Sequence, residues 1–563
     1  MLMFRNMGGR FSEAPQANIK RSVFGYKHTH KTTFNAGDLV PVFVQEVLPG
    51  DTFDINLSSL VRLATPLHPT MDNLFLDTYF FFVPNRLIWD NWTKFMGEND
   101  NAWAQDTDLF VPPFLSYGAV NNTQYATAVG VYDSSILNYL GMPVFDKDTT
   151  KNFRASILDL NAYIKIWNDW FRDENLQDEC PIFKNDGIMS TAYWANYHTY
   201  LVNNFGVSGS NGYLNMADSC LKVARFHDYF SSALPYPQKG PDVLIPAGGD
   251  VLFDKDAIGA STEALWRDPN GSAHSTSGQI YSTNTGRVAD NANNRLFYDP
   301  QGTLVLDGLQ ITVNNLRLAI QTQKLLEADA RGGTRYIESI FTHFGVKSPD
   351  GRLQRSEYLG GKRTILNMDE VIQTSETTAS SPLGNLAGRS VTATNENGFV
   401  KSFTEHGYII GVACVRHSRT YSQGVNRRYS RFNRLHYYYP VLANIGEQPI
   451  LNQELFLAQT GDSKDPSGVF GYQEAWAEYR YTPDRLSGKF NPDATGTLVS
   501  WTYADDYSTT PSLSSQWLQE GSTEVARSVV VQSQPQFIAD FYFHGKAVRP
   551  MPVFSVPGLM DHH

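Results

Sequence analysis

Three cysteines, Cys180, Cys220 and Cys414, are all that 563 residues supply. They are odd in number, far apart and without a CxxC pair, which excludes a zinc ribbon and a disulfide framework. Such a chain suits folding in a reducing compartment, with its thiols free. Charge is scarce as well: Asp, Glu, Lys and Arg make up 18%, against about a quarter in an average globular protein. The formal net charge of −11 excludes a protein whose whole surface grips nucleic acid, though not one with a local basic face. Long apolar runs are missing. "YFFFV" at 79–83 stops at Pro84, far too short to cross a bilayer, and "MLMFRNMGGRFSEAPQ" lacks a secretory apolar stretch. P-loop, GxGxxG, HExxH and EF-hand signatures are absent too. The expectation is a soluble, non-exported protein that needs no metal or cofactor.

Aromatic residues are what the chain has in excess: 13%, with 29 Tyr, 34 Phe and 10 Trp. They fit half-buried strands and dominate contact surfaces. The length exceeds a usual single core, so either several domains or one scaffold with large insertions is expected.

Strand patterns sit near both ends. "LVPVFVQEV" (39–47) is followed by "TFDINL" (52–57), which alternates strictly with Phe53, Ile55 and Leu57 on one face. "DNLFLDTYFFFVP" (72–84), "GYIIGVACV" (407–415), "HYYYPVL" (436–442), "ARSVVVQ" (526–532) and "QFIADFYF" (536–543) read as further strands. One β-domain over 38–563, closed by its outer thirds around a helical and loop excursion at about 85–400, explains this spacing. Within the excursion, Leu160, Tyr163, Ile164, Trp167, Trp170 and Phe171 form the apolar stripe of an amphipathic helix. Helices are also expected over 314–330 and 334–344, separated by Gly332 and Gly333. Residues 243–307 and 371–400, rich in Gly, Ser, Asn and Thr, read as long surface loops.

The first 37 residues carry Arg5, Arg10, Lys20, Arg21, Lys27 and Lys31 against Glu13 alone, without apolar periodicity. This is either a solvated terminus or a basic arm that lies on polyanion. A second basic stretch, 415–440, holds Arg416, Arg419, Arg427, Arg428, Arg431 and Arg434 with no acid, interleaved with Tyr421, Tyr429, Phe432 and Tyr437. Guanidinium forks suit phosphates and aromatic faces stack on unpaired bases, so both stretches are candidate DNA contacts. Pairing with carboxylates of a neighbouring copy is the alternative.

"RFHDYFSSALPYPQKGP" (225–241) groups His227, Asp228, Ser231 and Ser232, the residue types of a hydrolytic triad. No glycine elbow is present, the serines follow the histidine by four and five positions, and Pro235, Pro237 and Pro241 impose an extended path. A structural turn is the better reading. This same segment resembles a signature of the major capsid proteins of the Microviridae, small single-stranded-DNA bacteriophages, in their gokushovirus-like branch. "KTTFNAGDLVPVFVQEVLPGDTF" (31–53), "RLATPLHPTMDNLFLDTYFFFVPNRLIW" (62–89), "WNDWFRDENLQ" (167–177), "QKLLEADARGGTRYIESIFTHFGVKSPDGRLQRSEYLGG" (323–361), "GVFGYQEAWAEYRY" (468–481) and "RPMPVFSV" (549–556) continue the resemblance.

The resemblance implies a mainly β protein: an eight-stranded viral jelly roll with long loop insertions containing several α-helices. It implies a structural, non-enzymatic subunit of a small T=1 icosahedral virion shell around circular single-stranded DNA, assembled in the host bacterial cytoplasm. Implied partners are further copies of the chain, the packaged DNA, a small basic DNA-binding capsid protein, a pilot protein and a host-surface receptor. The segment from about Asp242 to Asp307 falls where the family carries threefold protrusions, with Trp266, Ile280, Tyr281, Leu296 and Phe297 as candidate packing residues. The rival is a carbohydrate-active or carbohydrate-binding β-protein, suggested by the tryptophans and by Asp169, Asp173, Glu174, Asp178 and Glu179.

Overall fold

The computed structural model describes chiefly residues 21–98, 110–117, 135–144, 153–189, 191–205, 220–238, 313–332, 354–375, 382–457 and 464–554, with short strands between 251 and 306. Eight longer strands dominate: β1 (Ser22–Phe34), β2 (Val40–Val47), β3 (Thr52–Leu63), β4 (Leu74–Pro84), β5 (Glu357–Leu366), β6 (Thr392–Ser402), β7 (Gly407–His417) and β8 (Phe537–Arg549). They build two antiparallel four-stranded sheets, one ordered β1-β8-β3-β6 and the other β5-β4-β7-β2.

The sequence pattern explains why the sheets differ. In β3, alternate residues Phe53, Ile55, Leu57, Ser59, Val61 and Leu63 are buried while the residues between them are not. β8 alternates likewise, with Phe537, Ala539, Phe541 and Phe543 inward. This first sheet therefore keeps one face in water. β4 and β7 are buried on nearly every residue, as strands covered on both faces must be. Between the sheets, Phe43 and Phe80 of the second meet Phe543 and Phe399 of the first, with ring centroids 4.8 Å (Phe43–Phe543) and 5.3 Å (Phe80–Phe399) apart. Gly411 on β7 lies against these rings; a β-carbon there would come within 2.9 Å of both Phe43 and Phe80.

The outer face of the second sheet is covered by helix α1 (Leu158–Trp170). Phe81 meets Trp170 and Phe171 there, at 5.6 and 6.0 Å. The buried polar tips are anchored: the Tyr163 hydroxyl donates to the Leu39 carbonyl at 2.7 Å and the Trp167 indole to that of Lys222 at 2.8 Å. Helix α2 (Thr191–Phe205) follows, and its Tyr200 packs edge-on to Trp167. All three cysteines are free and buried, as expected. Burial pushes the Cys414 thiol up to about 12.

The chain divides into two compact units, Met1–Pro237 with Thr334–His563, and Gln238–Gly333, rather than the single domain expected over 38–563. In the second unit the expected loop contains short antiparallel strands. Leu265–Arg267 lies between Ala273–His274 and Phe297–Asp299, and Val288–Asn291 lies between Tyr281–Ser282 and Asn294–Arg295. Val251–Phe253 pairs with Leu304–Leu306, and helix α3 (Val313–Gly332) closes the unit, matching the periodicity of 314–330.

Other expectations are corrected. The arm ends before β1, because residues 22–34 pair along their whole length with β8. Being an edge strand, β1 has few apolar residues, which hid its period. The excursion ends at 356, since β5 and β6 lie within the expected 85–400 span; β6, "TATNENGFVKS", is a polar edge strand whose outward residues face water. A second excursion, 418–536, separates β7 from β8. Within it, "HYYYPVL" forms 3-10 turns and "ARSVVVQ" a helix end and turn instead of strands. The helix expected over 334–344 lies almost wholly outside the described residues.

Candidate assembly and genome-contact surfaces

The triad-like stretch is a turn. Asp228 accepts hydrogen bonds from the backbone N–H groups of Phe230 (2.9 Å) and Ser231 (2.8 Å) and from the Tyr421 hydroxyl (2.8 Å). The buried Ser231 hydroxyl bonds to the Phe226 carbonyl at 2.8 Å and lies 3.0 Å from an Asp228 oxygen. These polar atoms hold the turn rather than activate a nucleophile. The carboxylates near the tryptophans are equally engaged. Asp169 pairs with Lys165 at 2.7 Å and accepts from the Ser356 backbone and hydroxyl at 2.8 and 2.9 Å, while Asp173 caps Asn175 and Leu176.

The candidate arginines separate into two groups. Arg416, at the end of β7, pairs with the fully buried Asp77 of β4, which also receives Arg363. Arg419 is 1% exposed and pairs with Asp505, Glu520 and Glu524. Arg225 reaches the same Asp505 at 2.8 Å and lies 4.5 Å over the Trp517 ring. Burial alone would raise the Glu520 carboxyl, but Arg419 and His417 outweigh it and hold it at about 2. Asp505 is held down in the same way by Arg419 and Arg225. Gly37, at φ +81°, lets the chain pass against the Glu520 backbone, where a β-carbon would collide with its carbonyl. Arg416 and Arg419 are therefore engaged in internal ion pairs. Tyr421, expected to stack, is buried on Asp228.

The remaining arginines lie nearer the surface. Arg427 pairs with Glu454 at 3.0 Å and Arg431 with Glu478 at 3.3 Å, whereas Arg428 and Arg434 are exposed. Arg428 stacks on its neighbour Tyr429, 4.7 Å from the ring centroid. Arg428 and Tyr429 line a cleft. The cleft, about 770 Å³, is lined by Tyr229, Tyr421, Arg427, Arg428, Tyr479 and Tyr481, among others.

Of the arm cations, Arg5, Arg10 and Lys20 lie outside the described residues. Arg21 is exposed; Lys27 and Lys31 stand on β1, on the open face of the first sheet. Register places His544 opposite Lys27 and Asp540 opposite Lys31, with Lys31 and Asp540 3.3 Å apart. The same face carries Arg62 of β3, opposite Ile538, and Lys546 of β8, opposite Asp54. Four cations thus share it with Asp54 and Asp540. Sequence reasoning missed Arg62 and Lys546, whose signal was their position out of phase with the buried residues of alternating strands. Of the protrusion candidates, Trp266 pairs with Tyr298 and His274, Phe297 with Arg267, and Tyr281 with Ala289; Ile280 and Leu296 lie outside the described residues.

Among the described residues there is no cluster of His, Cys, Asp or Glu suited to hold a metal, and no helix is long and apolar enough to cross a membrane. A mainly β chain whose buried polar groups brace its own loops, and which exposes aromatic side chains such as Tyr429, Phe432 and Tyr437, has the features of structural proteins that act by contact. The comparisons place it further. The family model described as Capsid protein (F protein) matches residues 12–559. The chain is 39% identical to capsid protein VP1 of Bdellovibrio phage phiMH2K over 559 residues, covering 97% of each chain. It is 36% identical to capsid protein VP1 of Chlamydia phage 1 over 617 residues, covering 98% of each. For capsid protein VP1 of Spiroplasma virus 4 the identity is 35% over 573 residues, covering 98% of this chain and 97% of the relative. The chain belongs to this phage capsid family, as a structural major capsid protein of the gokushovirus-like Microviridae and a component of the virion.

Proposed function

We propose that the two sheets form an eight-stranded jelly roll, and that copies of it close in the bacterial cytoplasm into a small T=1 icosahedral shell around circular single-stranded DNA. The observation that carries the fold is the nested pairing: β1 with β8, β2 with β7, β3 with β6 and β4 with β5. Successive strands also change sheet at every step except β4 to β5. That is the pattern of a long hairpin rolled into two Greek keys.

In this reading the genome lies against the open face of the first sheet, through Lys27, Lys31, Arg62 and Lys546, together with Arg5, Arg10, Lys20 and Arg21 before β1. The face carries more cations than carboxylates, with exposed Tyr542 and Ile538 among them, which suits a backbone held without sequence readout. The unit Gln238–Gly333 projects outward to the host surface, with Trp266, Ile280, Tyr281, Leu296 and Phe297 in its threefold packing. Its separate compactness supports that role. A small basic capsid protein, a pilot protein and a receptor complete the partners. One experiment tests the arrangement: a particle reconstruction at side-chain resolution. DNA density on the β1–β8 face and an external 238–333 unit are expected; DNA against another face, or an internal 238–333 unit, overturns it.

A further inference from the structure

Residues 428–445 run through consecutive 3-10 turns, Arg427–Ser430, Arg434–His436 and Pro440–Leu442, and turn apolar side chains outward. Phe432 is 90% exposed, Val441 93%, Tyr429 and Leu435 61% each, Ile445 54% and Tyr437 51%. At about 150–250 Å² for a whole aromatic side chain, Phe432, Tyr429 and Tyr437 expose about 300–500 Å², and Leu435, Val441 and Ile445 add to it. Apolar area of this order, about 300–600 Å², is that of the largest and often functional patch on a monomer.

The segment is braced from behind. The Trp476 indole donates to the Leu442 carbonyl at 2.8 Å, Arg431 joins Glu478 at 3.3 Å and lies 4.1 Å from the Tyr479 ring centroid, and Tyr438 packs edge-on to Trp476 at 5.7 Å. A braced backbone with exposed apolar side chains loses little entropy on docking.

We infer that this segment is a subunit-docking surface and that its occupant is a second copy of this chain. DNA fits it less well. Of the three arginines in the segment, Arg431 is held by the internal carboxylate of Glu478, so Arg428 and Arg434 remain for phosphates. Leu435, Val441 and Ile445 offer no face on which a base stacks. A second copy supplies what the surface needs. The segment has no acidic residue between Glu405 and Glu447, while the chain as a whole carries −11. The exposed strand Asp369–Ile372 combines two carboxylates with the exposed Val371 and Ile372, the matching chemistry at a different place on the molecule. A contact between unlike surfaces propagates head to tail and closes into a ring when its rotation permits, as a shell requires.

The inference rests on self-assembly, and one experiment separates the two. Hydroxyl-radical footprinting is applied to the full unmodified chain as free subunits, as shells assembled without DNA, and as DNA-filled particles. Modification of Phe432, Leu435 and Tyr437 is expected to fall about fivefold or more in empty shells, as for side chains in an interface core. Unchanged modification in empty shells overturns the inference, and protection that arises only with DNA assigns the surface to nucleic acid and overturns it too. Absence of shells defeats the self-assembly reading itself, and the inference with it. As a second arm, the Phe432→Ser/Val441→Ser double variant is expected to raise the subunit concentration needed for assembly about tenfold or more, with the melting temperature of the free subunit unchanged. Assembly at the wild-type concentration overturns the inference.

Discussion

Residues 416–421 and 428–445 belong to one arginine- and tyrosine-rich, acid-free stretch, yet their fates are opposite. Arg416 and Arg419 sit where β7 ends, between Asp77 on the neighbouring strand and the Asp505–Glu520–Glu524 group of a distant loop. Arg428 and Arg434, a dozen residues on, lie outside that reach and face water. Both are rich in arginine and free of acid; what differs for their arginines is whether the fold brings a carboxylate close enough to repay the desolvation of a guanidinium. An arginine-rich sequence is thus a statement about available charge, and only the surviving exposed members describe a surface.

The strongest way to break this comparison is to remove the shared carboxylate. Asp505→Ala leaves Arg225 and Arg419 buried without their common partner, and the expected loss is about 3–5 kcal/mol, read from denaturant unfolding of the free subunit. A cost below about 1 kcal/mol would move Arg419 into the exposed class.

Acid provides the next test. Glu520 is held at about 2 in the folded chain, below its ordinary 4.5. Its contribution is therefore complete above the ordinary value and is lost as pH falls towards and through about 2. Free-subunit stability should decline across that window, and Glu520→Gln, less stable at neutral pH, should show a shallower decline. Equal slopes in the two proteins would detach Glu520 from the arginine network.

Arg427 marks the boundary between the groups, since it is mostly covered and bound to Glu454 and to the Pro449 carbonyl at 2.6 Å. Arg427→Met should cost about 1.5–3 kcal/mol, the range for hydrogen bonds to charged groups. The smallest effect belongs to Arg428→Gln and Arg434→Gln, each expected to change free-subunit stability by no more than about 0.5 kcal/mol. A larger change in thermal unfolding would mean that they brace the fold after all.

Much of the scaffold was legible beforehand. The alternation in "TFDINL" and "QFIADFYF" and the continuous apolar character of "GYIIGVACV" mark strands because each must match the burial of one or both faces. The helix expected within 160–177 was equally plain from its stripe, although it ends at Trp170. The edge strands β1 and β6 were not, because an edge strand can be polar nearly throughout and still be held by backbone bonds to its neighbour. "HYYYPVL" misled in the other direction: strand-forming residues, exposed in turns, kept for contact rather than for a core.

By itself the sequence determined the β-rich class, the thiol chemistry, the absence of familiar cofactor motifs and, through long matching segments, membership of a phage capsid family. The tertiary structure decided which charges remain free. Asp77 lies 339 residues from Arg416, and Asp505 lies 280 from Arg225. No local pattern encodes such a pairing, because Coulomb attraction depends on distance in space and on burial, and both are set only when the two sheets and their loops have closed.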